Sequence, residues 1–205
     1  SEIKNSGLDL MITQRGMIGG KNGVKLDGTF TFTTYSNEIQ SLAPGIDFYD
    51  TRGSRIGNWV RNAAGHPVSS FFGYQVAGLY QSDDDVKNSP VQDGAGAGRF
   101  KFADLDGNDT INNADRTFLG NPNPDFTYGL QLTGSWKGFD LGVFFYGVEG
   151  RDAMNYVRWW TDFFPSFQGN KSPDALYNSW TPTNTGAKTP IAENVSNFST
   201  NAQVN

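Results

Sequence analysis

The sequence predicts an all-β protein, specifically an antiparallel transmembrane β-barrel segment with short turns at one end of its strands and long loops at the other. Three observations carry this prediction. The stretch from Phe126 to Val148 alternates with period two; an excess of aromatic residues sits beside many Gly, Thr and Asn; and the connections between strand-like runs are very unequal in length. The 205 residues include 16 Phe, 8 Tyr, 5 Trp and 25 Gly, with only 18% charged side chains. This is neither the composition of a disordered chain nor that of an ordinary soluble enzyme.

Taken in chain order, the first candidate hairpin pairs Leu8 to Gln14 with Leu26 to Asn37. Leu8, Leu10 and Ile12 share one face, and Leu26, Phe30 and Phe32 oppose Asp27, Thr29, Thr31, Thr33 and Tyr35. Its connector, Arg15 to Lys25, is glycine-rich and excludes helix. Ser69 to Tyr80 reads as a third strand, aromatic and interrupted by glycine, while Gln81 to Gly98 is acidic, then glycine-rich, and reads as loop. From Phe126 to Trp136 the even positions are apolar or aromatic and the odd ones small and polar. After Lys137-Gly138 the apolar series resumes on Phe139, Leu141, Val143 and Phe145, so a two-residue turn sets Trp136 opposite Phe139. Short helices are predicted near Asp152 to Trp160 and Pro173 to Trp180, where Asp or Ser precedes a helical spacing.

A β-sandwich shows the same alternation, because one face of each sheet is buried there too. The loop lengths favour the barrel. One connection has two residues, one is moderate, and those from Asn37 to Ser69 and Tyr80 to Asp125 are very long. No run approaches the ~20 apolar residues a membrane helix needs, so any crossing is by strands. The net charge of -5 argues against nucleic acid or an anionic lipid surface as main partner, and the absence of Cys removes thiolate chemistry and disulfides.

One motif carries chemistry. Asp104, Asp106, Asn108, Thr110, Asn112 and Asp115 fall at the oxygen-ligand positions of an EF-hand-type loop, with Thr110 offering its carbonyl and Ile111 at the hydrophobic position. The expected ion is calcium or a similar cation, and its role is to brace a loop. Asp109 stands where such loops carry Gly, and the last ligand is Asp rather than Glu. The bland alternative is a self-bonded turn without an ion. The lone histidine, His66, reads as a loop residue, and Asp83, Asp84, Asp85 and Asp93 as a solvated acidic face rather than paired catalysts. Gly94-Ala-Gly96-Ala-Gly98 lacks the lysine and following helix of a phosphate loop. No catalytic set is spaced for bond chemistry. The aromatic burst from Tyr156 to Phe167, with Trp159, Trp160, Phe163 and Phe164, suits either contact with a ligand or partner, or packing on itself.

Several blocks resemble the late barrel region of the SusC/RagA family of TonB-dependent outer-membrane receptors. They are Asn5-Ser-Gly-Leu-Asp-Leu, Thr29 to Leu42, Gly65 to Tyr80, Gly98 to Gly107, Ala114 to Gly129, and Trp136-Lys-Gly-Phe-Asp-Leu with Phe144 to Gly147. The resemblance implies an outer membrane of Bacteroidetes type, uptake of oligosaccharides or peptides driven through TonB, and a SusD-like lipoprotein capping the mouth. In those terms residues 1–150 are barrel wall with a long outer loop at about 81–120. Residues 151–205 are extracellular loop leading to the next strand, Lys137-Gly138 is a periplasmic turn, and the outward faces meet outer-membrane lipid. Plug, TonB-contacting segment and last strands have no counterpart here, so the chain is expected to be a fragment of a longer polypeptide. The competing reading is a secreted, calcium-braced β-sandwich that binds glycans or acts as an adhesin, stacking sugars on Trp159 and Trp160.

Overall fold

The structure, a computed structural model, describes residues 1–18, 23–51, 53, 57–164 and 169–193. The chain folds as two compact units: Ser1–Tyr49, Asn62–Ser69 and Asn121–Asp152 form the first, and Asp50–Arg61, Ser70–Gly120 and Ala153–Asn205 the second.

The first unit is built on an antiparallel sheet in which β1 (Glu2–Ile18), β2 (Val24–Ser41), β9 (Phe126–Trp136) and β10 (Phe139–Glu149) lie side by side in that order. The alternation read from the sequence sets the register. Leu10 faces Phe32, Phe30 faces Leu130, and Trp136 faces Phe139 across the tight turn. Both turn residues, Lys137 and Gly138, have positive φ, as the primed two-residue turns that match strand twist require. The Lys137 ammonium lies 4.8 Å from the Trp136 ring centre. Gly147 is needed where it stands, because the Tyr128 ring occupies the space its Cβ would take.

Two expectations are corrected in this unit. β1 and β2 run on to Ile18 and from Val24, so the connector is residues 19–23 rather than Arg15 to Lys25; residues 19–22 lie outside the described set. Cross-strand pairing rewards continuing the ladder, and here it outweighs the weak strand preference of the connector's glycines. More importantly, Ser69 to Tyr80 is not a wall strand. β2 pairs directly with β9, so residues 42–125 form one excursion. Antiparallel neighbours alternate direction, and one extra wall strand would have put the β1–β2 connection and the Lys137-Gly138 turn at opposite ends. The pairing of Lys25 with Ser135 puts them at the same end.

The second unit has its own elements. In it β5 (Ser70–Tyr74) pairs with β8 (Arg116–Gly120) and β6 (Val76–Leu79) with β7 (Phe100–Phe102); β3 (Phe48–Asp50) and β4 (Val60–Ala63), whose residues divide between the two units, extend the β5–β8 sheet in the order β3-β4-β5-β8. The Gln81 to Gly98 stretch is not all loop: α1 (Asp83–Lys87) starts at Ser82, whose side chain accepts from the Asp85 N–H, with three Asp in the first turn where the helix dipole favours them. α2 (Tyr156–Arg158) continues into a π-helical turn, Trp159–Phe163, and α3 (Pro173–Tyr177) is capped by Ser172 with Pro at its start. Tyr74, Leu79, Phe100, Phe102 and Trp180 make the buried core. Gly98, at φ 80°, lies under the Trp180 ring, leaving no room for a Cβ.

Candidate functional site

The sheet of the first unit has two unlike faces. Leu8, Leu10, Ile12, Leu26, Leu141 and Phe145 lie on one, and they are exposed: Leu8 is 60% accessible, Leu141 68% and Phe139 76%. A sandwich would have buried this face against a second sheet, whereas a barrel turns it to lipid. The opposite face is more polar: it carries Asp9, Thr13, Arg15, Thr29, Thr31 and Gln131, with Thr13 and Thr29 hydroxyls 3.3 Å apart, interspersed with Met11, Phe144 and Tyr146. Near the short turns it holds an open trough of about 830 Å³ lined by Thr13, Arg15, Lys25, Asp27, Gln131 and Thr133, in which Lys25 pairs with Asp27 at 3.4 Å. Strand length fits the same picture. At ~3.3 Å per residue, the 11 residues of β9 and of β10 suffice for a tilted crossing.

β2, at 18 residues, overshoots β9. Their last pair is Thr34 with Phe126, and on that edge β2 next has a backbone bond at Ile39, whose N–H donates to the His66 carbonyl, while its other edge stays paired with β1. Between these points is a recess of about 420 Å³ lined by Tyr35, Ser36, Asn37 and the segment Asn121 to Asp125. The Thr34 hydroxyl donates to the Asp125 carbonyl at 2.7 Å, Asn37 donates to Asn5 and accepts from the Val68 N–H, and Asn121 accepts from the Asn123 N–H. Sequence reasoning missed this feature. Its two sides are far apart in the chain, and no local pattern marks their meeting.

In the second unit the Asp104 to Asp115 loop folds on its own oxygens. Asp104, Asp106 and Asp115 each bring a carboxylate oxygen within 4.8 Å of the other two. Asp104 accepts from the N–H groups of Gly107 and Asp109, and Asp115, fully buried, accepts from those of Leu105 and Asn112. Partial desolvation pushes the Asp104 carboxyl upward, but the N–H donors of Asp109, Gly107 and Asn108 outweigh it and hold the group below the usual range. Asp109 adopts φ 60°, the left-handed conformation the missing Gly would have taken. The other three candidates serve the loop's frame: Asn108 accepts from the Thr110 N–H, Asn112 accepts from Ala114 to cap a 3-10 turn, and the Thr110 carbonyl accepts from the Asn112 amide. Three carboxylates so placed suit a hard cation that takes its remaining oxygens from carbonyls and water.

The aromatic burst packs on itself. Trp159 is 3% accessible, stacked on Tyr156 and Phe164 at 5.6 and 4.6 Å and edge-on to Trp160, while Trp160, Phe163 and Phe164 are half-buried around it. Residues 165–167 of the burst lie outside the described set.

A scan of family models finds no match. The chain is similar to TonB-dependent receptor P3 of Formosa agariphila, with 30% identity over 195 residues, 92% of this chain and 19% of the relative. Against TonB-dependent receptor SusC of Bacteroides thetaiotaomicron the identity is 26% over 193 residues, 91% of this chain and 17% of the relative. The chain therefore spans about a fifth of the length of the curated relatives it matches. In fold it is similar to the RagAB peptide importer in the 'open-open' state, with a TM-score of 0.68, 23% identity, and coverage of 93% of this chain and 19% of that one.

Proposed function

This chain belongs to the SusC/RagA family of TonB-dependent receptors, and we propose that it forms part of the wall and outer mouth of a TonB-dependent importer in the outer membrane. Its relatives are receptors and its structural neighbour a transporter. The observation that carries the proposal is the sheet with an exposed apolar face backed by a threonine-rich polar one. Lipid takes the first and the passage the second. The cargo class is glycan or peptide, moved by capture and gated passage without breaking a bond, and a SusD-like lipoprotein closes the outer end. The excursion of residues 42–125 then faces outward, opposite the short periplasmic turns.

The test is fractionation of cells producing the natural gene product with an epitope at Gly94, followed by protease treatment of intact cells. Recovery in the outer membrane with cleavage from outside is the expected result. Recovery as a soluble secreted protein would return the case to a binding module.

Within the same reading, the Asp104 to Asp115 loop takes calcium through Asp104, Asp106 and Asp115, bracing the outer unit. The ion offsets the mutual repulsion of three carboxylates held together. Terbium luminescence should titrate to saturation in the natural protein, fall at least about tenfold in affinity in Asp104→Asn, and be displaced by calcium; an unchanged titration in that variant would remove the ion from the account.

A further inference from the structure

Resting on the importer reading, we propose that the tip of the β9–β10 hairpin is a headgroup site for an anionic phospholipid of the leaflet on the turn side, held by Lys137 against the Trp136 ring. The length of the wall puts the tip at that level. The 11 residues of β9, tilted about 45°, rise about 25 Å, the height of the apolar band of a barrel wall. On the apolar face one end of the band is marked by Phe32, Phe126 and Tyr128, with Phe32 and Phe126 stacked at 5.5 Å and Tyr128 beside Phe126. The other end is marked by Trp136 and Phe139, both exposed. Lys137, the next residue along the chain, therefore stands in the headgroup layer.

The groups at the tip select the ligand. The Lys137 side chain is exposed, has no ion pair with a carboxylate among the described residues, and keeps its ammonium 4.8 Å from the Trp136 ring centre. An ammonium over a ring still has N–H donors on its outward side, and a phosphodiester oxygen takes them. The Trp136 indole N–H has no hydrogen-bond partner among the described residues, so it is a second donor beside the first. On the same face Phe139 and Leu141, both well exposed, offer apolar surface to the acyl chains of the same lipid. Charge separates the two ends of this face. Glu149 lies across from Phe126 at the far end, and Lys137 is at the turn. Asp140, the nearest carboxylate in sequence, sits across from Ser135 on the opposite face, where Lys25 and Asp27 also neutralise each other at 3.4 Å. The net charge of -5 is thus not what a lipid meets at the turn. An anionic headgroup such as phosphatidylglycerol brings a phosphate with no cation of its own, whereas phosphatidylethanolamine carries an ammonium that competes with Lys137. One lysine at a membrane surface enriches anionic lipid beside it about fivefold.

The experiment places a benzophenone side chain at Phe139 of the natural gene product. The protein is reconstituted in vesicles of equal parts phosphatidylglycerol and phosphatidylethanolamine with identical acyl chains, and the lipids cross-linked on illumination are counted by mass spectrometry. A benzophenone at Phe145, on the same face but inside the apolar band, is the reference. Relative to that reference, phosphatidylglycerol should outnumber phosphatidylethanolamine about fivefold at position 139. Lys137→Gln should bring the two positions level, and Lys137→Arg should keep the preference. Heat-modifiable mobility on gels checks that each variant has folded. Equal counts at the two positions with Lys137 in place, or a preference that survives Lys137→Gln, overturns the site. The importer reading fails separately: cross-links to protein alone at both positions would remove the lipid-facing wall itself, whereas lipid at both without preference leaves the wall standing and the headgroup site refuted.

Discussion

The two units use the same kind of sequence to opposite ends. In the first, Leu141 and Phe139 are large, apolar and exposed; in the second, Phe100 and Phe102, on an equally alternating strand, are buried among Tyr74, Leu79 and Trp180. Period-two alternation states that a strand has two different faces. It does not state which solvent the apolar one meets. On the importer reading that solvent is lipid for the first unit's sheet, while in the second unit it is the protein's own interior, so substitutions in the two places should fail by different mechanisms.

The largest effect is expected in the outer unit. Phe102→Ala opens a cavity beside Tyr74 and Phe100, 5.3 and 6.4 Å away, and should cost about 3–5 kcal/mol. Limited proteolysis of intact cells should then cut the outer unit while the barrel stays resistant. Next comes the wall, where Leu141→Arg puts a charge on the lipid face and should cost about 2–4 kcal/mol in folding into vesicles, whereas Thr133→Arg on the other face should cost far less. Equal costs would erase the distinction between the faces.

Asp115→Ala removes a buried carboxylate that accepts from the N–H groups of Leu105 and Asn112, and should destabilise the outer unit by about 1–2 kcal/mol, with or without calcium. A melt that moves only when calcium is present would mean that the residue serves the ion alone.

The smallest effect is one of pH. The hydrogen bond from Lys101 at 2.9 Å leads the causes that hold the Asp85 carboxyl below its ordinary value, with the Gln81 N–H assisting. A depressed carboxyl stabilises above its unfolded value and loses that contribution as pH falls through the folded one. The pair, worth at most about 1 kcal/mol, should be constant from neutrality to about pH 5, start to weaken near pH 4 and be lost only as the pH falls through the depressed folded value. Asp85→Asn should flatten that part of the acid profile of protease resistance.

Much of the wall was legible because its information is local. The Phe126 to Val148 hairpin and its register at Trp136 and Phe139 follow from alternation and one two-residue turn, whereas in the first hairpin alternation gave the faces but not the pairing of Leu10 with Phe32. The left-handed Asp109 and the helix start at Ser172 were legible in the same way, from turn and capping chemistry, while the helix expected from Asp152 begins instead after an Asn155 cap. What could not be read was whatever depends on distant partners. Nothing near Phe30 announces Leu130, and Ser69 to Tyr80 looks like wall because a glycine-broken aromatic strand reads alike in either unit. α1 was hidden by its own acidity, since three consecutive Asp suggest a solvated loop until the Ser82 cap is recognised. The Tyr35 recess exists only because β2 is longer than its neighbour, a fact of pairing rather than of either segment.

The central claim is that the apolar face of the wall meets lipid and the threonine face does not. The chain has no Cys, so single cysteines at Leu141 and Thr133 can each carry one fluorophore within it. In the natural gene product reconstituted into vesicles of brominated lipid, the label at 141 should be strongly quenched and the label at 133 should stay bright and be reached by an aqueous quencher; quenching by lipid at neither position, or equally at both, would contradict the account.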